Sequence, residues 1–182
     1  MSQKLTTAEM GRLSVEAFRA ADKVPLIVVL DNVRSQHNVG AVFRTADAMR
    51  IEGVWLCGIC CCPPNAEIHK TALGAEETVE WRYFKDTLEA VQQLKEAGYT
   101  VYAVEQAHNS ISLETISYQL AASNNPQKIA VVFGHEVFGV QQEVVDQCSQ
   151  CIEIPQYGTK HSLNVSVAAG IVIYRLSEAL RK

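Results

Sequence analysis

The segment LIVVLDNVRSQHNVGAVFRTAD at residues 26–47 sets the fold class that the sequence predicts. It opens with a continuous apolar run rich in β-branched residues, which is typical of a strand buried on both faces. A polar loop follows, and the spacing of the apolar residues then predicts a helix over residues 39–50. A doubly buried strand that leads through a loop into a helix is the repeating unit of α/β proteins.

The same order of elements recurs along the rest of the chain. Asp86 is placed to cap a helix and Gly98 to end it. Apolar runs predict further strands at residues 54–57, 99–104, 129–133 and 151–154, and a long helix over residues 163–180. We therefore predict an α/β domain with a mostly parallel sheet flanked by helices. In such sheets ligands bind at the carboxyl ends of the strands. The candidate loops follow Leu30, Val104, Phe133 and Ile154.

The N-terminal region departs from this pattern. Thr6 and Glu9 have the spacing of a capping box. An apolar stripe with helical spacing follows at Leu13, Val15, Phe18 and Ala21. We expect a helical extension at residues 1–23 and the α/β domain at residues 24–182. A chain of 182 residues with 48% hydrophobic content suits one globular domain with such an extension.

Composition narrows the possible partners. No apolar run approaches the roughly 20 residues of a membrane-spanning helix, and residues 1–10 lack the apolar core of a signal peptide. We therefore expect a cytoplasmic protein with no membrane partner. The net charge of −4 argues against a surface that binds nucleic acid everywhere, but it allows a local basic patch.

Six cysteines allow two interpretations. Cys57, Cys60, Cys61 and Cys62 cluster, and Cys148 and Cys151 form a second pair. Two CxxC pairs have the ligand count of a zinc site. However, Cys57 ends an apolar, strand-like run, and no glycine knuckle flanks either pair. We favour small buried thiols in a reducing cytosol and expect no metal.

The first candidate loop carries Asn38, Gly40 and Arg44 at the start of a predicted helix. Gly40 allows a close approach in the first turn, where free backbone N–H groups attract anions. Arg44 has two interpretations. It could pair with Asp47 on a solvated helix face, or it could remain available to a ligand, since its neighbours on that face are small.

Two later loops contain similar features. In the second, Gly134 and Gly139 bracket Glu136 directly after a buried strand. In the third, Gly158 turns the chain after Pro155. Two polar residues near the start of the predicted last helix and a glycine within it follow: Ser162, Asn164 and Gly170. Ser162 could cap this helix. Gly170 weakens a helix, so we expect close packing there, either within the chain or in a dimer.

Together the three loops resemble the three motifs of the SpoU (TrmH-like) family within the SPOUT methyltransferases. The first resembles Asn-x-Gly-x-x-x-Arg (Asn38, Gly40, Arg44) and the second Gly-x-Glu-x-x-Gly (Gly134, Glu136, Gly139). The third resembles Ile-Pro-x-x-Gly followed by Ser-Leu-Asn-Val-Ser-x-Ala, at residues 154–158 and 162–168. The resemblance covers residues 26–176.

The resemblance implies a C-terminal trefoil knot, a homodimer and S-adenosylmethionine as cofactor. It implies Arg44 as the catalytic arginine, in a site shaped by Asn38, Glu136, Ser162 and Asn164. The implied cofactor contacts are Val104, Glu105, Phe133, Gly134, Gly139, Ile154, Gly158, Ser162 and Leu163. For RNA, basic and histidine side chains could gather at the pocket mouth, namely Arg34, His37, Arg50, Lys160 and His161, with Lys70 nearby.

The predicted function is therefore RNA 2′-O-ribose methylation, with transfer RNA as the first expectation for the substrate. Three alternatives stay open. The same chemistry could act on ribosomal RNA. A non-catalytic RNA-binding dimer could keep the knot without the reaction. The acidic charge also leaves room for a small-molecule methyltransferase that uses the same pocket.

Overall fold

A computed structural model describes residues 2–6 and 8–181, and within them seven strands form one sheet. The strands are β1 (Val24–Asp31), β2 (Ile51–Cys57), β3 (Glu80–Phe84), β4 (Thr100–Val104), β5 (Ile111–Ser112), β6 (Ile129–Phe133) and β7 (Gln150–Glu153). Their order across the sheet is β3-β2-β1-β6-β4-β7-β5, and every neighbouring pair is parallel. The predicted α/β fold with a mostly parallel sheet is confirmed.

Eight helices accompany the sheet in the same part of the chain. They are α1 (Val15–Ala20), α2 (Gln36–Ala48), α3 (Ala66–Ala72), α4 (Ala75–Thr78), α5 (Thr87–Glu96), α6 (Leu113–Ala122), α7 (Gln142–Gln147) and α8 (Val165–Leu180). Side chains from α2, α3, α6 and α8 share one core cluster, and side chains from α5 and α7 share a second.

Strand β1, the third of the seven strands across the sheet, lies between these two cores. Leu26, Val28 and Leu30 belong to the first cluster, whereas Ile27 and Val29 belong to the second. Successive side chains of a strand point to opposite faces, so an unbroken apolar run is required where both faces are covered. All five side chains are almost completely buried. The apolar run that predicted a doubly buried strand is thus explained by helices on both sides.

The structure corrects two helix starts. Helix α2 begins at Gln36 rather than residue 39, because the Ser35 hydroxyl accepts a hydrogen bond from the Asn38 amide and caps the helix. The last helix begins at Val165, and Asn164 caps it by accepting from the Ser166 and Val167 amides. The prediction that Ser162 caps this helix was wrong. Elements without a prediction include β3, α3, α6 and α7.

The N-terminal region is mostly not helical. Met1 and Thr7 lie outside the described residues; elsewhere in residues 1–23 the helix is limited to α1, which Ser14 caps. The backbone N–H and hydroxyl of Thr6 both donate to the Glu9 carboxylate, but residues 8–10 form a turn and not a helix. Of the predicted apolar stripe, Phe18 alone is buried. The division into an extension and a domain at residue 24 stays a prediction.

At the carboxyl end of β1, the Asp31 carboxylate is completely buried and ties three elements together. One oxygen accepts from the Thr87 hydroxyl (2.6 Å) at the start of α5 and from the Asn32 and Gln141 side-chain amides (both 2.9 Å). The other accepts from the Gln141 backbone N–H (3.0 Å), just before α7. A buried carboxylate is tolerated only when its lone pairs are satisfied in this way.

Among the described helices, none combines the length and apolarity needed to cross a membrane.

We expect Asp31→Asn to lower the free energy of unfolding by about 3 kcal/mol, because the new amide group would face a backbone donor in a dry environment. Asp86→Asn is the matched control: Asp86 is exposed and caps α5, a position where asparagine is equally favourable. Urea denaturation of both variants measures the difference. Equal stability of the two would show that the buried carboxylate does not tie these elements together.

Candidate active site

A cavity of about 550 Å³ opens at the carboxyl ends of β4, β6 and β7, beside the start of α8. This is the edge of the sheet where the sequence placed the candidate loops, and the volume lies within the roughly 300–1,000 Å³ of small-molecule sites. Eight of the nine predicted cofactor residues line it: Val104, Glu105, Phe133, Gly134, Gly139, Ile154, Ser162 and Leu163. Gly158 is not among its lining residues.

One wall of this pocket is a tight turn between Gly134 and Gly139. His135 and Gly139 exchange two backbone hydrogen bonds, of 3.0 and 2.8 Å. Gly139 has φ +69°, and a Cβ on it would lie 2.3 Å from a carboxylate oxygen of Glu105. A Cβ on Gly134 would lie 2.0 Å from the backbone of the opposite arm. Both positions therefore require glycine for this turn to form.

Glu136 at the tip of this turn reaches across to the first turn of α2. Its carboxylate accepts from the backbone N–H groups of Arg34 (3.1 Å) and Ser35 (2.9 Å) and from the Asn38 side-chain amide (3.1 Å). Burial by itself would raise the pKa of Glu136, but the hydrogen bonds from Ser35, Arg34 and Asn38 outweigh it and lower the pKa below its ordinary value. The charged carboxylate thus holds the second motif against the first.

Asn164 joins the third motif to the other two. Its side-chain nitrogen donates to the Asn38 side-chain oxygen at 3.2 Å, while its own oxygen caps α8. Asn38 therefore donates to Glu136 and accepts from Asn164, so one chain of hydrogen bonds links all three motifs. The structure thus brings the three motifs together.

The far end of the turn is held by two further carboxylates. Glu105, at the end of β4, accepts from the Val140 backbone N–H at 2.7 Å. Asp31 holds the next residue, Gln141, through the contacts described above. Asp31 was not predicted as a site residue, although an acidic residue at the end of a doubly buried strand is a signal that the sequence contains.

The pocket lining is acidic. Glu105, Glu136 and Glu153 contribute carboxylates, and no lysine or arginine lies among the described lining residues. Apolar side chains such as Phe133, Ile152 and Leu163 supply the other surfaces. This combination fits a ligand that has a flat apolar part and a positive charge.

Arg44 lies outside this pocket. Its side chain is exposed, and within residues 2–6 and 8–181 it makes no hydrogen bond or ion pair. The interpretation that it pairs with Asp47 is not supported, because the Asp47 carboxylate accepts from the Thr78 hydroxyl at 2.8 Å. At about 100° per residue, the side chains of Asn38 and Arg44 point about 120° apart around α2. The chain therefore does not bring Arg44 to its own pocket.

The predicted RNA contacts are distributed unevenly. His161 lines the pocket, and Lys160 beside it is exposed. Arg34 is exposed at the start of α2, where His37 pairs with Glu67 at 3.0 Å. That glutamate also pairs with Lys70, at 2.6 Å.

Arg50 is not brought to the pocket mouth. It lies at the amino end of β2, where its carbonyl accepts from the Val24 N–H, at the opposite edge of the sheet. The Nε atom of Arg50 is buried and has no hydrogen-bond partner among the described residues. From the amino edge of the sheet, the side chain of Arg50 cannot reach RNA bound at the pocket on the carboxyl edge.

The cysteines remain free thiols. Cys57 and Cys60 are buried, and burial raises the pKa of the Cys60 thiol to about 12. In the part of the chain that the structure describes, the only three potential metal ligands that converge are His69, Glu76 and Glu77, and no cysteine joins them. The zinc interpretation of the CxxC pairs thus gains no support, and the expected absence of a metal stays a prediction.

The fold and the pocket define an α/β domain with a small-molecule site at the carboxyl edge of its sheet. The model of the SpoU rRNA Methylase family matches residues 25–174. The chain belongs to this family, which confirms the resemblance.

Two sequence relatives illustrate its range. The 23S rRNA (guanosine-2′-O-)-methyltransferase RlmB of Neisseria meningitidis serogroup B is 34% identical over 87% of this chain and 59% of its own length. The tRNA (guanosine(18)-2′-O)-methyltransferase of Thermus thermophilus is 31% identical over 91% of this chain and 81% of its own length. The chain thus spans less than two thirds of the first relative.

Solved structures give the same result. The A. aeolicus TrmH/SpoU tRNA modifying enzyme superposes with a TM-score of 0.76 at 27% identity, over 91% of this chain and 79% of that one. The AdoMet-bound rRNA methyltransferase from Sinorhizobium meliloti has a TM-score of 0.77 at 25% identity, over 91% of this chain and 61% of that one. The C-terminal knot that the resemblance implies stays a prediction.

The pKa of Glu136 is lowered in the folded state. Its charge therefore stabilises the folded state fully at pH values above its ordinary pKa of 4.5, and this contribution is lost as the pH falls through the folded-state pKa. We expect Glu136→Gln to cost about 1–2 kcal/mol at pH 7, because an amide accepts fewer of the three hydrogen bonds.

Urea denaturation between pH 7 and pH 3 measures this difference, which should shrink at the acid end of the range. Glu143→Gln on α7 is the control, since Glu143 is exposed and lies outside this cluster. A difference between wild type and Glu136→Gln that does not change with pH would contradict the role of the charge.

Proposed function

We propose that this chain is an S-adenosylmethionine-dependent RNA 2′-O-ribose methyltransferase. The observation that carries the proposal is the chain Glu136–Asn38–Asn164, which joins the three motifs at the mouth of one acidic pocket. The names of the two sequence relatives supply the reaction class.

The pocket residues fit the cofactor. Its adenine would lie against apolar side chains such as Phe133 and Leu163, with backbone groups of Gly134 and Ile154 at its edge. Its positive charges would face Glu105, Glu136 and Glu153. When bound, the cofactor supplies an activated methyl group on a sulfonium.

The residues of this chain must then prepare the ribose hydroxyl, which is a weak acid. A positioned base typically contributes on the order of 10²–10⁴ in rate, and correct alignment contributes further. Arg44 cannot be that base in its charged form, because a guanidinium stays protonated. We assign to Arg44 the binding of a substrate phosphate and the stabilisation of developing negative charge, with Asn38, Ser162 and Asn164 shaping the site.

A homodimer would complete this site. Helix α8 and the residue before its cap expose an apolar stripe beside the pocket: Leu163, Val167, Ile171 and Tyr174. Gly170 lies on the same side, and a Cβ there would meet no atom of the chain within 4 Å, so packing within the chain does not explain this glycine. An exposed apolar stripe with a glycine suits close packing of a second copy. In a dimer, Arg44 of one copy could lie at the pocket of the other copy, although it does not reach the pocket of its own chain.

RNA would approach across the pocket mouth. Arg34, Lys160 and His161 are exposed there, and pairing of two copies would double these cations on a protein of net charge −4. We keep transfer RNA as the first candidate and ribosomal RNA as the alternative, because the relatives' names include both. We further propose that the protein acts in the cytoplasm, without a metal.

Mapping of 2′-O-methylation in RNA from cells with and without this protein tests the reaction and identifies the substrate. We expect one ribose position to lose its methyl group when the protein is absent. Unchanged ribose methylation in all transfer and ribosomal RNA would refute the proposal.

Arg44→Ala should reduce methyl transfer by at least about 10³-fold, since it removes the group that positions and stabilises the reacting ribose. The affinity for S-adenosylmethionine should change less than about twofold. Tritiated methyl transfer and calorimetry measure the two quantities. Arg82→Ala, an exposed arginine on the edge strand β3, serves as the control. Parallel loss of transfer and cofactor binding would argue against this role.

Ile171→Glu should weaken dimerisation on the order of 100-fold, because it places an unpaired charge in an apolar interface. Sedimentation equilibrium measures the association. Val15→Glu is the matched control, since Val15 and Ile171 are both 39% exposed and Val15 lies outside the stripe. A variant at Ile171 that stays as dimeric as the control would exclude the α8 stripe as the interface.

A further inference from the structure

The turn between Gly134 and Gly139 carries two of the most exposed large hydrophobic side chains of the described chain. Val137 is 77% exposed and Phe138 is 84% exposed. Both line the mouth of the pocket. Folding gains little from a phenylalanine in this position, because its ring buries little surface against the protein.

This exposure does not result from a loose loop. The two backbone hydrogen bonds between His135 and Gly139 close the turn at its base. Glu136 anchors its tip to the N-terminus of α2, and Glu105 anchors its exit at Val140. The Phe138 ring is therefore carried on a backbone that is held at three places.

The ring of Phe138 is supported from one side by His135. Their ring centroids lie 5.0 Å apart with an angle of 35° between the planes. The Nδ1 atom of His135 accepts a hydrogen bond from the Val137 N–H at 3.0 Å, which fixes the orientation of the imidazole. The two rings form a preorganised aromatic surface beside the pocket.

We propose that Phe138, supported by His135, stacks on the nucleobase of the nucleotide whose ribose is methylated. This inference rests on the proposed function. In a ribonucleotide the base and the 2′-hydroxyl are attached to neighbouring ring carbons. A hydroxyl placed in the pocket therefore puts its base at the pocket mouth, where the Phe138 ring lies.

Stacking on a base would give a role to this exposed aromatic ring at the mouth of the pocket. A flat, exposed ring on a rigid turn is what recognition of an unstacked base uses, since every base offers a π face. Stacking on a base also loses little side-chain conformational entropy when the ring is already held in place. Contact through the face of the base fixes the position of the nucleotide and is tolerant of base identity.

The test compares Phe138→Ala, Phe138→Leu and Phe138→Trp with the wild type. Initial rates of tritiated methyl transfer are measured against the concentration of total RNA from cells that lack the protein. Loss of one stacked base should lower kcat/KM for RNA on the order of 5- to 100-fold in Phe138→Ala. Phe138→Leu should be similarly impaired, because it keeps the apolar character but removes the ring. Phe138→Trp should stay within about twofold of the wild type or exceed it, because a larger ring stacks at least as well.

Two further measurements separate stacking from other roles of Phe138. Calorimetry should give an unchanged affinity for S-adenosylmethionine, and sedimentation should give an unchanged oligomeric state. Tyr118→Ala provides the control for loss of an exposed ring, since Tyr118 is 63% exposed on α6 and contacts Arg175 away from the pocket.

Several results would overturn the proposal. Activity of Phe138→Leu equal to the wild type would exclude a stacking ring, and so would an unchanged kcat/KM in Phe138→Ala. Loss of cofactor affinity in Phe138→Ala would assign the ring to the cofactor pocket, and dissociation of the dimer would assign it to the interface. Absence of transfer to RNA by the wild type would refute the proposed function itself, which is a different result from active wild type with insensitive variants.

Discussion

The carboxylate of Glu136 and the first turn of α2 hold the site together. Backbone N–H groups where a chain enters a helix have no partner within the helix, and a carboxylate at the tip of a loop can accept hydrogen bonds from them. Here the backbone N–H groups of Arg34 and Ser35, directly before α2, and the side-chain amide of Asn38 all donate to the Glu136 carboxylate. Because Asn38 also binds Asn164, the same contact fixes the start of α8. Three segments that are distant in sequence are thereby held together beside one pocket, which the second and third of them line.

The sheet and its loops support the contact between Glu136 and the start of α2. Parallel strands bring their carboxyl ends to one edge, so the loops after β4, β6 and β7 surround a common space. Asp31 and Glu105 accept hydrogen bonds from the segment directly after the Gly134–Gly139 turn, whereas Glu136 anchors the tip of this turn. The acidic lining attracts a cation, whereas the arginine assigned to the reaction lies outside the pocket of its own chain. The division of charges between pocket and outer surface is consistent with a site completed by a second copy.

The sequence predicted strands and loops better than side-chain contacts. The run at residues 26–30 identified a doubly buried strand, because a strand that is buried on both faces has apolar residues at consecutive positions. In the first two motifs the glycines left a similar signal, because Gly40, Gly134 and Gly139 are required by a close approach or a tight turn, whereas a Cβ on Gly158 of the third motif would meet no atom within 4 Å. The sequence did not predict Asn164 as the cap of α8, and its side chain also makes a long-range contact with Asn38. The short edge strand β3 and the placement of Arg50 at the opposite edge likewise depend on tertiary structure.

A crystal structure of the protein with S-adenosylmethionine would show where the cofactor binds and which guanidinium lies near its methyl group. We expect the cofactor between the Gly134–Gly139 turn and the loop before α8, with Arg44 of either copy directed at the methyl group. A cofactor bound elsewhere, or Arg44 directed into solvent in every copy, would show that the three motifs do not form the proposed methyl-transfer site.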